Sequence, residues 1–293
     1  MQVRILGVAI LGVSLLIGAI TVFLWDTKKT PRVAWGVFPG NRPLNEFEMV
    51  VDDAPQLRSL FINWGEMPPS VSSYEATKEV TPVIFLETYD MSLDDINAGV
   101  GDEFIHSLAD ELSHRTTNVI LAPFAEMNGN WDPWGGAVGS NSPQKIIQAW
   151  RRIHDGFAGA PNVRFAWVVN ASSVPDTPEN AIERYYPGDE YVDYVGVDGF
   201  NDGDPWLPFE SIFGKALAQL ARYPQPILIT SMASAEGANK AGWIKNALCT
   251  QVPMNRKIQG WIWFDEHKER DWRIDSSPAA LLAFRESVRA CSS

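Results

Sequence analysis

Two cysteines in 293 residues, Cys249 and Cys291, are too few for a disulfide framework or a thiolate metal site. One bridge between them is allowed but not required. The four histidines, His106, His114, His154 and His267, show no HxH or HExxH spacing, so neither metal catalysis nor a metal cofactor is expected. Positive charge is short as well: 24 Lys and Arg stand against 36 Asp and Glu, and without residues 1–30 the balance is 21 against 35. A phosphate backbone demands a basic face, so a nucleic-acid partner is excluded. No Walker A run, no G-x-G-x-x-G after a strand and no G-x-S-x-G elbow occurs, which removes nucleotide-binding and α/β-hydrolase readings and leaves no cofactor implied. After residue 31 no Pro/Gly/Ser-rich linker and no long charge run divides the chain, so one domain follows.

Apolar residues are plentiful, at 45% with 12 Trp, enough for one large core. Ile5 to Trp25 carry no charge. At about 1.5 Å per residue they reach across a hydrocarbon layer of about 30 Å. A cleaved signal peptide has a shorter apolar region and a small-x-small cleavage site, neither of which is plain here. Residues 1–30 are therefore expected to be an uncleaved membrane anchor, a helix over 5–25 with a short linker, and 31–293 the folded body. Arg4 competes with Lys28 and Lys29 under the positive-inside rule, and the body is expected on the periplasmic or extracellular side on functional grounds.

Eight short apolar, β-rich runs alternate with longer amphipathic stretches. They begin at Arg32, Ser59, Pro82, Asn118, Val163, Tyr194, Pro226 and Ile258, between 23 and 45 residues apart, close to a βαβ unit of about 30. Ser142–Pro143, Thr177–Pro178 and Ser277–Pro278 each set an N-cap hydroxyl before a proline suited to a first helical turn. Continuous rather than alternating apolar strands imply burial on both faces. The expected fold is α/β, a (β/α)8 TIM barrel preceded by one transmembrane helix, with an open doubly wound sheet as the alternative. Trp35, Trp150, Trp167 and Trp261 fall inside strand or helix patterns and are assigned to packing.

In such a barrel the chemistry sits where strands end. Glu66, Glu87, Glu126, Asn170, Asp198, Asn201, Ser231, Asp265 and Glu266 fall there, with the aromatics Trp131, Trp134, Trp206 and Trp263. Carboxylates can work on an acetal while flat rings cover the C–H faces of pyranoses, so this rim suits a sugar chain. A strand-end acid often only caps a helix, and Trp is frequently core; the coincidence of many at one rim carries the argument.

The segments AEMNGNWDPWGG from Ala125, YYPGDEYVDYVGVDGFN from Tyr185, SAEGANKAGWI from Ser234 and WFDEHKERDWRIDSSPAALLAFR from Trp263 keep their order and together resemble glycoside hydrolase family 26, most closely its β-glucanase- and lichenase-like branch. The resemblance implies a (β/α)8 β-glycanase acting with retention, its acid/base Glu ending strand 4 and its nucleophile Glu ending strand 7. Glu126 matches the acid/base and keeps Asn128 and Trp131 beside it. The strand 7 run, PILITSMASAE from Pro226, departs: Ser231 occupies the nucleophile position, and Glu236 matches a separate position five residues into the loop. Ala125 and Ala122 also stand where the mannanase branch often has His and Arg.

A retaining hydrolase needs two carboxyls about 5–5.5 Å apart. A hydroxyl without a paired base supplies neither the negative charge nor an activated nucleophile. The expected function is therefore a membrane-anchored protein that binds a β-linked polysaccharide, β-glucan or β-mannan, with impaired hydrolysis, and polysaccharide synthesis or export machinery is a candidate partner. The alternative is a working endo-β-glycanase using Glu126 with a non-standard second group, such as Asp198 or Glu87 activating a water. Expected binding residues are Asn128, Trp131, Trp134, Asp198, Asn201, Trp206 and Trp263, with Glu66, Glu87 and Glu236 as further candidates.

Overall fold

The computed structural model describes residues 33–70 and 80–292. In order these form β1 (Ala34–Phe38), α1 (Leu44–Val51), β2 (Leu57–Asn63), β3 (Thr81–Glu87), α2 (Leu93–Ala98), α3 (Asp102–Ser113), β4 (Val119–Pro123), α4 (Pro143–Gly156), β5 (Val163–Asn170), β6 (Tyr194–Asn201), α5 (Phe209–Leu220), β7 (Ile227–Ser234), α6 (Lys240–Asn246), β8 (Ile258–Phe264) and α7 (Pro278–Cys291). All eight strands are parallel and close in sequence order, β8 returning to β1 from Ala34↔Gly260 to Phe38↔Phe264. Each of the eight apolar runs supplies one strand, and closure rules out the open sheet.

The strands are apolar on both faces because they feed two cores. Leu57, Val83, Phe85, Ile120, Ala122, Ala166, Val168, Leu228 and Ile262 fill the barrel interior. The residues between them, such as Ile84, Leu86, Leu121, Trp167 and Val169, pack outward among the helices. Interior space is tight: a Cβ added at Gly36 would lie 2.5 Å from the Leu57 Cβ. Trp35, Trp150, Trp167 and Trp261 are buried, and Trp35 stacks on Trp261 at 6.0 Å between ring centroids.

Two of the three proline-led helix starts fold as their sequence suggests. The Ser142 and Ser277 side chains accept from the Lys145 and Ala280 backbone N–H groups, both at 3.3 Å, and cap α4 and α7. Thr177–Pro178 differs. It opens only short 3-10 turns, Pro178–Asn180 and Ile182–Tyr185, and Thr177 makes no side-chain cap bond. Tertiary hydrogen bonds win there: the Asn180 amide donates to the Asn128 and Pro175 carbonyls, and the Tyr185 hydroxyl donates to Asn180.

The expected anchor, 5–25, lies outside the described residues. Among the described residues no helix is long and apolar enough to cross a membrane.

Cys249 and Cys291 are bonded, with Cα atoms 5.1 Å apart at a sequence separation of 42. The bridge ties the end of α7 to the π-helical turn Ala247–Gln251 that follows α6. Closing a loop of that length removes about 4 kcal/mol of unfolded-chain entropy, an upper figure for the stabilisation. The double variant Cys249→Ser/Cys291→Ser should melt roughly 5–15 °C lower. An unchanged melting temperature, measured by circular dichroism, would show that α7 is held without the bridge.

Candidate active site

The strand ends on one rim surround a cleft of about 670 Å³. Its floor is built around Glu126, three residues past β4. Phe124 and Glu126 both have left-handed backbones, φ 50° and 58°. Non-glycine residues adopt this at a cost of roughly 1–2 kcal/mol each. The loop is held in place by long-range bonds: Glu126 N–H donates to the Val168 carbonyl at 3.0 Å, and Gly136 N–H donates to the Met127 carbonyl at 2.7 Å. The strained turn aims the Glu126 carboxyl into the cleft. There Oε2 accepts from the Trp131 indole N–H and Oε1 from the Asn170 amide, both at 2.8 Å. Burial outweighs these two donors and pushes the Glu126 pKa up to about 7. A group with that affinity can hold a proton at neutral pH and still give it away, as a general acid must.

Asp198, on β6, is 4% exposed and lines the same cleft. The register between β6 and β7 jumps here, from Val197↔Ile229 to Asp198↔Ser231, so Thr230 is an extra residue of the kind a β-bulge inserts. As a result both hydroxyls reach one carboxyl. Thr230 Oγ1 donates to Asp198 Oδ1 at 2.5 Å, and the neighbouring Ser231 hydroxyl and backbone N–H also favour the ionised carboxyl. Burial, and then the charge of Glu126, still hold the Asp198 pKa well above the usual carboxylate range.

A third group lies toward β3. Glu87 is raised to about 7 by burial and by the charge of Asp132, against the opposing pull of Lys268. Asp132 is itself raised by burial, and the Tyr89 hydroxyl donates to it at 2.8 Å. Tyr89 meets Trp134 edge to face, centroids 5.1 Å apart, while the Trp134 N–H donates to the Ala125 carbonyl at 2.7 Å. Trp131 is 48% exposed and offers an open ring to the cleft. Among the described residues, no group of three or more His, Cys, Asp or Glu is placed to hold a metal ion.

Of the residues expected from the sequence, Glu126, Asn170, Ser231, Trp131, Trp134, Asp198 and Glu87 line this cleft. The others do not. Asn128 is fully buried, and its side chain spans the Asn170 backbone, accepting from N–H at 2.8 Å and donating to the carbonyl at 2.9 Å. Asn201 is also fully buried; its amide donates to Ser234, and its oxygen accepts from the Leu207 backbone at 3.0 Å. Trp263 points outward into the helix layer, edge-on to Phe284, its N–H donating to the Trp272 carbonyl. Trp206 lies half-buried over Gly203 and Gly237. Glu66 accepts from the Asn63 backbone at 2.9 Å, and Glu236 accepts from Ser276 and lies 3.9 Å from Lys240.

Tyr89, Asp132, Lys268 and Trp272 also line the cleft and were missed. Asp132 was legible, because it lies between two tryptophans in a loop already singled out. Trp263 could have been excluded, since strand alternation puts it on the same side as Trp261, already assigned to packing.

Glu126 binds its proton more tightly folded than unfolded, so as pH rises from the ordinary 4.5 to about 7 its ionisation costs the fold stability; Glu87 acts with the same sign. Trp131→Phe and Asn170→Ala each delete a donor that favours the ionised form, and each should raise the Glu126 midpoint above about 7. Carboxyl 13C titration reads this directly; a lowered midpoint in both variants would contradict the geometry.

Comparison with known proteins fits this arrangement. The profile of Glycosyl hydrolase family 26 matches residues 92–275. Endoglucanase H of Acetivibrio thermocellus is 34% identical over 275 residues, covering 89% of this chain and 30% of that protein. Mannan endo-1,4-beta-mannosidase of Bacillus subtilis is 24% identical over 185 residues, 60% of this chain and 46% of the relative. The chain thus spans less than half the length of either relative. Two solved structures share the fold: Bacillus subtilis mannanase man26 (TM-score 0.62, 17% identity, 89% of this chain and 86% of that one) and a modular endo-β-1,4-mannanase of Cellulomonas fimi (TM-score 0.67, 16% identity, 88% and 70%). A closed eight-stranded parallel barrel with a proton-holding glutamate past its fourth strand, together with the family match, assigns the chain: it belongs to glycosyl hydrolase family 26.

Proposed function

We propose that this chain binds a β-linked glucan or mannan and hydrolyses it slowly, because Ser231 stands where a second carboxyl is needed. The observation that carries this reading lies on β7: the residue lining the cleft there is a 4%-exposed serine, Ser231, paired in register with Asp198. Positive charge develops at the anomeric carbon as the glycosidic bond breaks, and a neutral hydroxyl offsets little of it. The open ring of Trp131 and the Tyr89–Trp134 pair give a pyranose chain apolar area to stack on. The activities in the relatives' names, endoglucanase and mannan endo-β-mannosidase, support a β-linked glycan.

The same reading holds residues 5–25 to be a membrane anchor, with the barrel outside the cytoplasm, where glycans and any synthesis or export machinery are met. The Cys249–Cys291 bridge supports that side, since disulfides persist in oxidising compartments. A second reading, a working endo-β-glycanase that pairs Glu126 with a non-standard group, is favoured by the presence of Asp198 in the same cleft.

Two measurements test the first reading. Trp131→Ala should weaken binding of a β-linked oligosaccharide by roughly 5- to 150-fold in calorimetry, the equivalent of about 1–3 kcal/mol. Reducing-sugar release from β-glucan and β-mannan should be slow in the wild type, rise about tenfold or more in Ser231→Glu and vanish in Glu126→Gln. Fast wild-type turnover that Ser231→Ala leaves intact would refute impaired hydrolysis. The anchor is tested by fractionation, where the full-length chain should sediment with membranes.

A further inference from the structure

We infer that a run of phenyl rings on one wall of the cleft sets its sugar preference, favouring a β-1,4-linked chain whose sugars carry no axial hydroxyl over a mannan. The inference rests on the reading of the cleft as a β-glycan site and names the sugar that fits it.

The rings come from strands far apart in the chain. Phe61 lies on β2, four residues past Leu57, and Phe264 on β8, two past Ile262; both reference residues are in the barrel interior, so strand alternation turns the two rings into the barrel mouth. Phe200 on β6 points the same way, because its neighbour Gly199 faces α5, where an added Cβ would lie 2.9 Å from Phe213. Phe85 stacks on Phe61 with centroids 4.6 Å apart, Phe61 meets Phe38 at 5.1 Å, and Phe38 stacks on Phe264 at 4.7 Å. Phe264 and Phe200 carry the contact on to Trp272 at 5.7 and 5.2 Å. All but Phe38 line the cleft.

The mouth is thereby divided. Glu126, Asn170, Asp198 and Ser231 line it from β4 to β7, whereas the only lining residues on β8 and β2 themselves are Phe264 and Phe61. Rings that merely plugged the barrel would be covered, as Phe85 is at 1% exposure. Phe61 is 38% exposed, and Phe38, Phe200 and Phe264 are half-buried. Apolar area left in water forgoes about 25 cal/mol per Å² that a ligand would recover by covering it, so this wall favours a ligand with apolar faces.

A single pyranose is about as wide as one phenyl ring, so a wall of several rings meets more than one sugar. Successive residues of a β-1,4 chain are turned over, and the wall meets alternate faces. In glucose and xylose the axial positions of both faces carry only hydrogen. In mannose O2 is axial on one face, so every second sugar of a mannan would press a hydroxyl onto phenyl carbon, losing its water with no acceptor or donor in return. The wall therefore discriminates by the chain's stereochemistry, without a hydrogen bond of its own.

Calorimetry with cellohexaose and mannohexaose tests this, in a Glu126→Gln background so that neither is cleaved. Cellohexaose should bind about tenfold or more tightly than mannohexaose. Phe61→Ala, at the most exposed ring, should weaken cellohexaose by about 5- to 20-fold and change mannohexaose by less than about threefold, so the preference collapses. Phe61→Leu, which keeps the apolar volume and guards against a packing defect, should also lower the preference, while Phe61→Tyr should keep it; melting curves check that each variant is folded. Equal affinities in the parent, a tighter mannohexaose, or a preference that survives both Phe61→Ala and Phe61→Leu overturns the inference and leaves the glycan reading of the cleft standing. Failure of both sugars to bind overturns the inference together with that reading.

Discussion

Closure of the parallel sheet is the constraint on which everything else depends. Pairing β8 with β1 leaves no sheet edge and satisfies the strand backbones around the ring. Because all eight strands are parallel, their C-terminal ends fall on one rim, and residues far apart in the chain, such as Glu87, Glu126, Asp198 and Ser231, meet in one cleft. The two cores support this geometry from both sides: branched and aromatic residues fill the interior, and the outward-facing tryptophans lock the helices.

Gathering carboxyls in this way has an electrostatic cost, and the cost is what makes the site chemical. Burial raises Glu126, Glu87, Asp132 and Asp198 together; the charge of Asp132 further raises Glu126 and Glu87, and that of Glu126 raises Asp198. The fold offsets part of the penalty with aimed donors: Trp131 and Asn170 on Glu126, Tyr89 on Asp132, Thr230 and Ser231 on Asp198. Lys268 supplies a positive charge acting on both Glu126 and Glu87. Stability is spent at the rim and recovered in the barrel wall.

The β6–β7 bulge shows how a small backbone irregularity sets chemistry. One extra residue lets Thr230 bond the Asp198 carboxyl and brings Ser231 into register beside it, so both hydroxyls favour its ionised form. The Glu126 loop is the complementary case. Its left-handed backbone is held by bonds to Val168 and Met127 and by the Asn128–Asn170 clamp, whose Asn170 also reaches Glu126 in the cleft.

What the sequence determined by itself was local or periodic. Eight apolar runs gave the strands, and the Ser142 and Ser277 caps bond only three residues ahead, so their helices were legible. The association of Glu126, Asp198 and Ser231 with the fourth, sixth and seventh runs was legible for the same reason, although Asp198 and Ser231 lie within β6 and β7 and only Glu126 lies past its strand. Tertiary structure decided what rests on partners tens of residues away. Asn128 and Asn201 became buried clamps because their amides met backbone across a loop. Trp263 turned outward while Trp272 came to the cleft, and the Thr177–Pro178 start gave way to Asn180 and Tyr185 contacts. The pairing of Ser231 with Asp198 depended on a bulge that no spacing in the chain announces, because register is set by the neighbouring strand and not by the residues that carry it.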